Sequence, residues 1–198
     1  MPRIPAAERR AALVQAALRV VATQGLAAAT TRAIVAEAGM SLASFHYAFA
    51  SRDELMHELV VFVVDHEESA VLPPPGETSS LRDTLRAGLQ RYADLLRADP
   101  LREQAMLELT QHSLRSAGME HLARLQYERY YSLAAAALET AAAQTRHTWT
   151  LPVSEVARLL VVLSDGLTIS WLVDRDDAAA ASVMDFAADA VARLGKPL

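Results

Sequence analysis

Between Thr30 and Leu55 the sequence TTRAIVAEAGMSLASFHYAFASRDEL sets three helix starts and one glycine stop so close together that the enclosed helices can run only about two turns each. Thr30 or Thr31 can cap the first short helix, and Gly39 supplies the left-handed residue that ends it. Ser41 stands at the N-cap position of the second. Ser51, with Glu54 three residues later, forms a capping box that opens a longer helix. The apolar positions Ile34, Val35, Ala38, Met40, Phe45 and Phe49 anchor both short helices. A helix, a glycine turn and a second short helix make the helix-turn-helix pattern. The third partner of its core is upstream, where Ala11, Leu13, Ala17, Leu18 and Val21 recur at helical spacing until Thr23-Gln24-Gly25 stops them.

The rest of the chain repeats the helical period. A fourth helix is expected from about 52 to 72, with Leu55, Leu59, Phe62 and Val63 on its apolar face. PPPGETSS, 73–80, cannot continue a helix and reads as an interhelical loop. Five further helical patterns follow, at about 80–98, 101–116, 118–146, 153–174 and 177–194, punctuated by Asp99-Pro100, Ala117-Gly118 and Leu151-Pro152. No strand-like alternation is evident. With 52% hydrophobic residues and alanine clusters such as AAAALETAAA, the expectation is an all-α chain of about nine helices and no sheet. It would hold an N-terminal three-helix head, residues 1–52, on a larger helical body, residues 53–198.

Several functions are disfavoured by what is missing. There is no cysteine, so disulfides, thiolate metal sites and cysteine nucleophiles are out. The six histidines (46, 57, 66, 112, 121 and 147) show no pair at i, i+3 or i+4, and no glycine-rich phosphate loop occurs. We therefore expect neither an enzyme nor a metal or other cofactor. MPRIPAAERR lacks an apolar leader, and the apolar run LLVVL at Leu159 to Leu163 is short for a bilayer, which points to a cytoplasmic protein without a membrane partner.

The net charge of −5 hides an asymmetry. Residues 1–52 carry Arg3, Arg9, Arg10, Arg19, Arg32 and Arg52 against Glu8 and Glu37, or +4, and the remainder carries −9. A basic head on an acidic body suits phosphate binding by the head. Yet Gly39 to Ser51 holds no Asp, Glu, Lys or Arg. If Phe45 and Phe49 point inward, Leu42, Ala43, Ser44, His46 and Tyr47 form an outward face of small or hydrogen-bonding side chains that can approach base edges closely. Charge would come from the flanks, Arg32 and Arg52, with helix N-termini at Thr31 and Ser41 donating to phosphates. The competing reading is a plain hydrophobic corner.

The ordered run Thr30 to Leu55 resembles the DNA-binding signature of the TetR family of bacterial repressors. Thr31, Ile34, Ala38, Gly39, Ser41, Tyr47, Phe49, Glu54 and Leu55 match that signature directly, while Met40, Phe45, Arg52 and Asp53 are conservative replacements. The resemblance implies that Thr31, Arg32, Tyr47 and Arg52 position the DNA backbone and that Leu42, Ala43, Ser44 and His46 face bases. It also implies a double-stranded operator, a homodimer, and release by a small-molecule effector. His46, Ala48 and Ala50 depart from the usual residues, so fewer phosphate contacts per head and a dependence on dimerisation are expected. An activator or architectural DNA-binding protein without ligand is the alternative, and a helical carrier or enzyme is more remote.

The body should then hold an effector pocket and a dimer interface. Residues 153–174 are apolar nearly all round, as a helix covered on two sides should be. One stripe, Val161, Asp165, Thr168 and Leu172, could line a cavity, and the other, Leu160, Ser164, Leu167 and Trp171, could meet a partner. On the last helix Val183, Phe186, Ala187, Ala190 and Leu194 share the face expected at the dimer contact. Tyr92, Met106, Leu109, His112, Gln126, Tyr130, Asp165, Thr168 and Trp171 are the pocket candidates, a largely apolar set suited to a largely apolar effector.

Overall fold

The computed structural model describes residues 5–71 and 80–198, and of 66–71 the backbone alone. The expected loop 73–80 therefore lies outside the described residues except for Ser80. Among the described residues there are nine α-helices: α1 Ala6–Gln24, α2 Thr31–Glu37, α3 Leu42–Ala48, α4 Arg52–Val71, α5 Leu81–Ala98, α6 Pro100–Arg115, α7 Glu120–Thr145, α8 Val153–Asp174 and α9 Asp177–Ala192. A 3-10 turn, Leu26–Ala28, lies between α1 and α2, and two short strands are present, β1 His147–Trp149 and β2 Gly195–Pro197. The chain divides into two compact units, Met1–Val64 with Leu101–Tyr127, and Asp65–Pro100 with Glu128–Leu198. The cuts fall inside α4, after the first residue of α6, and inside α7.

In the first unit the start signals act as their chemistry requires. Thr30, not Thr31, caps α2, its hydroxyl oxygen accepting from Ala33 N–H at 3.1 Å. Ser41 caps α3 by accepting from Ser44 N–H at 3.2 Å. Ser51 accepts from Glu54 N–H at 3.0 Å, while the Glu54 carboxylate accepts from Ala50 N–H at 2.8 Å, one residue before the usual partner of a capping box. Gly39, at φ 63°, makes the left-handed turn between α2 and α3. Phe45 and Phe49 are both buried, their ring centroids 5.7 Å apart, and share one core with Leu13, Ile34, Leu55 and, from α6, Met106 and Leu109.

Arg10 fastens α1 to the helices that follow. Its Nη1 donates to the Ala48 carbonyl and to Glu54 at 3.0 Å, its Nη2 donates to Glu58 at 3.1 Å, and its guanidinium stacks 4.2 Å from the Phe49 ring. These bonds hold the C-terminal end of α3 in place, so a charge that could have faced outward is used inside the head.

In the second unit α9 packs against α5 and α8. Arg82 bridges Asp185 and Asp189, both at 2.9 Å, and Arg86 also reaches Asp185 at 2.9 Å. Arg175 adopts a left-handed conformation, φ 57°, that ends α8, and the Asp176 carboxylate caps α9 by accepting from Ala178 and Ala179 N–H.

The expectation of no sheet is corrected. β1 and β2 pair antiparallel, His147 opposite Pro197, Thr148 opposite Lys196 and Trp149 opposite Gly195. Arg146 turns the chain out of α7 at φ 57°, and Thr150 N–H and its hydroxyl both donate to the Leu194 carbonyl. A Cβ at Gly195 would lie 2.4 Å from Leu81 Cδ2, so the Leu81 side chain would have to turn aside to admit it. The fold class is unaffected, because each strand is only three residues long. α8 is long and apolar enough to cross a membrane by length and composition alone, a test that the core helix of a soluble protein also passes. Its apolar character extends around the helix, with Val156 and Leu167 buried and Val162 and Ile169 exposed.

Candidate nucleic-acid interface

The outward face of α3 is assembled from both ends. The buried Phe45 fixes the helix rotation, and with Phe45 inside, Leu42, Ala43, His46 and Tyr47 are exposed. Tyr47 is 67% exposed, far beyond what a packed aromatic residue shows. Ser44 is half-buried, its Oγ 3.0 Å from Ser41 Oγ, so the two hydroxyls at the start of α3 form one linked pair. Arg32 is exposed on the first turn of α2, and Thr31 is half-buried beside it. The face thus presents small and polar groups without a charged side chain of its own.

Arg52 departs from expectation. Its Nε donates to the Ala29 carbonyl at 2.8 Å and its Nη2 to the Leu26 carbonyl at 2.9 Å. The Leu26 carbonyl also accepts from Ala29 N–H at 3.1 Å within the 3-10 turn, and the guanidinium fork reaches both carbonyls at once. Arg52 is accordingly a brace between α4 and the turn before α2. On the other side of that turn, Glu108 of α6 accepts from Leu26 N–H at 2.8 Å.

Sequence reasoning missed Arg9, Arg10 and Glu108. Arg9 places its guanidinium 5.0 Å from the centroid of the Tyr47 ring. Its position in the Arg-rich first helix gave only charge as a signal. Nothing local marks Glu108, which acts on a residue 82 positions away.

The Glu54 carboxyl is held below the usual carboxylate range, first by the hydrogen bond from Ala50 N–H and then by Arg10. A depressed folded-state value means that stability is present above the ordinary carboxylate value, about 4.3, and is lost as pH falls through the lower folded value. Thermal melts between pH 7 and pH 3 should therefore show wild type more stable than Glu54→Gln at neutral pH, with the difference narrowing below about pH 4.3. A difference independent of pH would show that the charge contributes nothing.

The pocket candidates are distributed over both units. In the first, Met106 and Leu109 are core residues, and Gln126 is buried with its Oε1 2.8 Å from the Thr110 hydroxyl. His112 is half-buried, Nε2 3.1 Å from Ser116 Oγ. Glu103 and Ser113, which the sequence reading passed over, are also buried there, Glu103 accepting from Arg102 Nη2 at 2.9 Å. In the second unit Thr168 donates to the Ser164 carbonyl at 2.9 Å, so the Tyr92 hydroxyl, 2.5 Å from Thr168 Oγ1, is the donor of that pair. Trp171 donates through its indole N–H to Asp177 at 2.9 Å, with Arg175 stacked on its ring at 4.4 Å. Trp171 thus ties the end of α8 to the start of α9. Asp165 and Tyr130 are half-buried, and Arg158 stacks on the Tyr131 ring at 4.4 Å.

The residues offered to a partner differ in exposure. Leu167 and Ala187 are buried within the chain, and Leu160, Val183, Ala190 and Leu194 are half-buried. The exposed apolar residues of α8 are Leu159, Val162, Ile169 and Val173, and on α9 Phe186 is 65% exposed. Uniform apolarity around α8 leaves its rotation undetermined by pattern; the contacts with α9 decide it. Among the described residues no group of three or more His, Asp or Glu is placed to hold a metal ion.

Comparisons with known proteins agree with this geometry. Residues 13–59 match the pattern of bacterial regulatory proteins of the tetR family, and residues 81–196 match the C-terminal pattern of BetI-type transcriptional repressors. The nicotine-responsive transcriptional repressor HdnoR of Paenarthrobacter nicotinovorans is 31% identical over 179 residues, covering 88% of this chain and 89% of that protein. Among solved structures, a transcriptional regulator from Rhodococcus sp. Rha1 aligns with TM-score 0.74 at 18% identity, over 96% of this chain and 98% of that one. A TetR transcription regulator from Haloarcula marismortui aligns with TM-score 0.72 at 18% identity, over 96% of this chain and 100% of that one. With a helix-turn-helix whose second short helix is exposed on one face, and family patterns covering both halves of its sequence, the chain belongs to the TetR family of transcriptional repressors, a non-enzymatic family, and carries a BetI-type C-terminal domain.

Proposed function

We propose that the protein is a cytoplasmic homodimeric repressor that binds a palindromic operator through α3 and is released by a small, largely apolar effector. Residues 1–52 serve as the DNA-binding part and residues 53–198 as the effector-binding and dimerisation part. The observation that carries the reading is the exposed, uncharged face of Leu42, Ala43, His46 and Tyr47 on a helix whose rotation is fixed by the buried Phe45. Such a face reads groove shape and base edges at close range, while backbone contacts set its register.

Selection of bound duplexes from a random pool tests this directly. A palindrome with two half-sites about one helical turn apart, roughly 34 Å, is the expected result. No enrichment would remove the reading. On the selected site, His46→Ala should change base preference, by about 1–3 kcal/mol at one position, whereas Tyr47→Ala should weaken all duplexes. Unchanged binding by both would leave α3 without a role.

The response to effector follows from differential affinity. A ligand releases the operator only by binding the DNA-incompetent conformation more tightly than the competent one. The buried Gln126–Thr110 pair, with Met106 and Leu109 beside it, gives α6 and α7 the mixture of apolar surface and few polar groups that small-molecule sites use. The nicotine response of HdnoR makes nicotine the natural first probe. A rise in melting temperature with nicotine, reversed in part by operator DNA, supports an effector of this class; no response moves the search to other apolar amines.

For the dimer contact we propose the exposed Val162, Ile169 and Phe186 in place of the buried Leu167 and Ala187. An apolar face on two packed helices at the end of the chain suits a two-fold contact with a second copy.

A further inference from the structure

Ala29 and Arg52 stand just before and just after the helix-turn-helix, and the bond from Arg52 Nε to the Ala29 carbonyl, 2.8 Å, closes residues 30–51 into a loop. The turn at 25–29 takes its shape from bonds within itself, Ala28 N–H to the Gly25 carbonyl at 3.2 Å and Ala29 N–H to the Leu26 carbonyl at 3.1 Å. Its place is set from outside. Leu26 is gripped on both sides, its carbonyl by Arg52 of α4 at 2.9 Å and its N–H by Glu108 of α6 at 2.8 Å. Gly25 has no side chain to hold that carboxylate off: a Cβ there would lie 3.3 Å from Glu108 Oε1 and 3.5 Å from Oε2. Leu26 is buried, so water is not a ready substitute acceptor for its N–H. Glu108 itself is exposed, while Met106 and Leu109 beside it seat α6 in the same core as Leu26.

We propose that Glu108 is a positioning residue for operator binding, acting through Leu26 on the helix-turn-helix. This rests on the reading that α2 and α3 meet the operator together. Glu108 lies outside the 13–59 match to the DNA-binding pattern, on a helix within the 81–196 match to the C-terminal one. A duplex holds its phosphates and base edges at fixed spacing, so two short helices bind it well only when presented in one arrangement. α2 and α3 are seven residues each, too short to be stable alone, and depend on their surroundings for their placement. Thr30, which caps α2, follows the turn directly, so the position of Leu26 and Ala29 is passed to the first turn of α2. Arg52 passes the same position to the start of α4, just beyond α3. Without Glu108 the loop is still closed by Arg52, but its bond to α6 is gone and it can settle over a range of positions. The carboxylate touches no DNA in this role, since its charge would repel phosphate. What matters is an oxygen that accepts from Leu26 N–H.

The test uses the full-length protein and the duplex selected from the random pool, at a temperature well below the melting point of every variant. Glu108→Ala should weaken binding by about tenfold, roughly what one ordering hydrogen bond is worth. Glu108→Gln keeps an oxygen that can accept from Leu26 N–H and should retain affinity within about twofold. Glu108→Met keeps the length of the side chain without that oxygen, so it should match Glu108→Ala and guards against misfolding of the shorter variant. Amide hydrogen exchange at Leu26 reads the bond itself, and should be faster in the Ala and Met variants and unchanged in the Gln variant. In a double-mutant cycle, Glu108→Ala should cost less operator affinity in an Arg52→Lys background, where the fork is already lost, than in wild type. A merely structural role would give a lower melting temperature with operator affinity unchanged, and that result would overturn the proposal. Equal loss, or equal gain, in Glu108→Ala and Glu108→Gln would trace the effect to the charge and overturn it as well. Strictly additive effects of Glu108 and Arg52 would refute the shared grip on Leu26. Failure of the wild type to bind any duplex is a different result: it sinks the reading of α2 and α3, and the role of Glu108 with it.

Discussion

Val162→Arg combined with Phe186→Arg is expected to leave a folded monomer whose affinity for the palindromic operator falls by a factor of about 10² to 10⁴. The factor is the gain from tethering two weak heads, since once one head is bound the second binds at an effective concentration instead of from bulk solution. Few phosphate contacts per head are offered here: Arg10 and Arg52 are turned inward, and Ala48 and Ala50 add no charge. Each head alone should therefore bind weakly. Val162 and Phe186, 64% and 65% exposed, can accept arginine without loss of packing in the single chain. In a dimer the same guanidinium groups would lose water without gaining partners, a cost that interfaces do not tolerate. Sedimentation measures the oligomeric state, and fluorescence anisotropy compares the full palindrome with a half-site. Retention of a dimer, or equal affinity of wild type for half-site and palindrome, would refute this contact surface.

How much of this was legible in the sequence depends on how local each determinant is. The caps at Thr30, Ser41 and Ser51 act over three residues, so a linear reading finds them, and with them the starts of α2, α3 and α4. The two strands escaped because β1 and β2 are far apart in the chain, and a three-residue strand has too little alternation to register. Arg52 illustrates a different limit. Its place at the start of α4 was clear, but a long side chain at a helix start can swing outward to phosphate or back to nearby carbonyls. Only the course of residues 26–29 decides between them. The same holds for α8, where apolar residues on every side gave two defensible stripes, and packing against α9 selected a third as the exposed one. For Trp171 and Tyr92, residue type suggested a pocket, whereas their hydrogen bonds to Asp177 and Thr168 make them ties between helices.

Gly25→Ala should produce the largest loss of stability of any single methyl addition in the head. Gly25 was read as an ordinary helix stop, but its φ of 84° and ψ of 161° lie in a region essentially reserved for glycine, not in the left-handed helical region. Forcing alanine there costs about 1–3 kcal/mol from the backbone alone. The added Cβ would also lie 3.3 Å from Glu108 Oε1, which holds Leu26 N–H. Relief by moving Glu108 would expose that donor, and relief by moving the backbone would disturb Leu26 and Ala29, whose carbonyls bind Arg52. A drop in melting temperature of about 2–4 °C per kcal/mol is expected for a chain of this length. Gly39→Ala is the internal comparison: its φ is 63° and no atom lies within 4 Å of the new Cβ, so only the milder left-handed penalty of about 1–2 kcal/mol applies. Adding Glu108→Ala to Gly25→Ala removes the side-chain contact but not the backbone strain, so most of the loss should remain. Equal melting temperatures for Gly25→Ala and wild type would mean that the turn between α1 and α2 accepts a different backbone path, and that the brace formed by Glu108 and Arg52 does not constrain it.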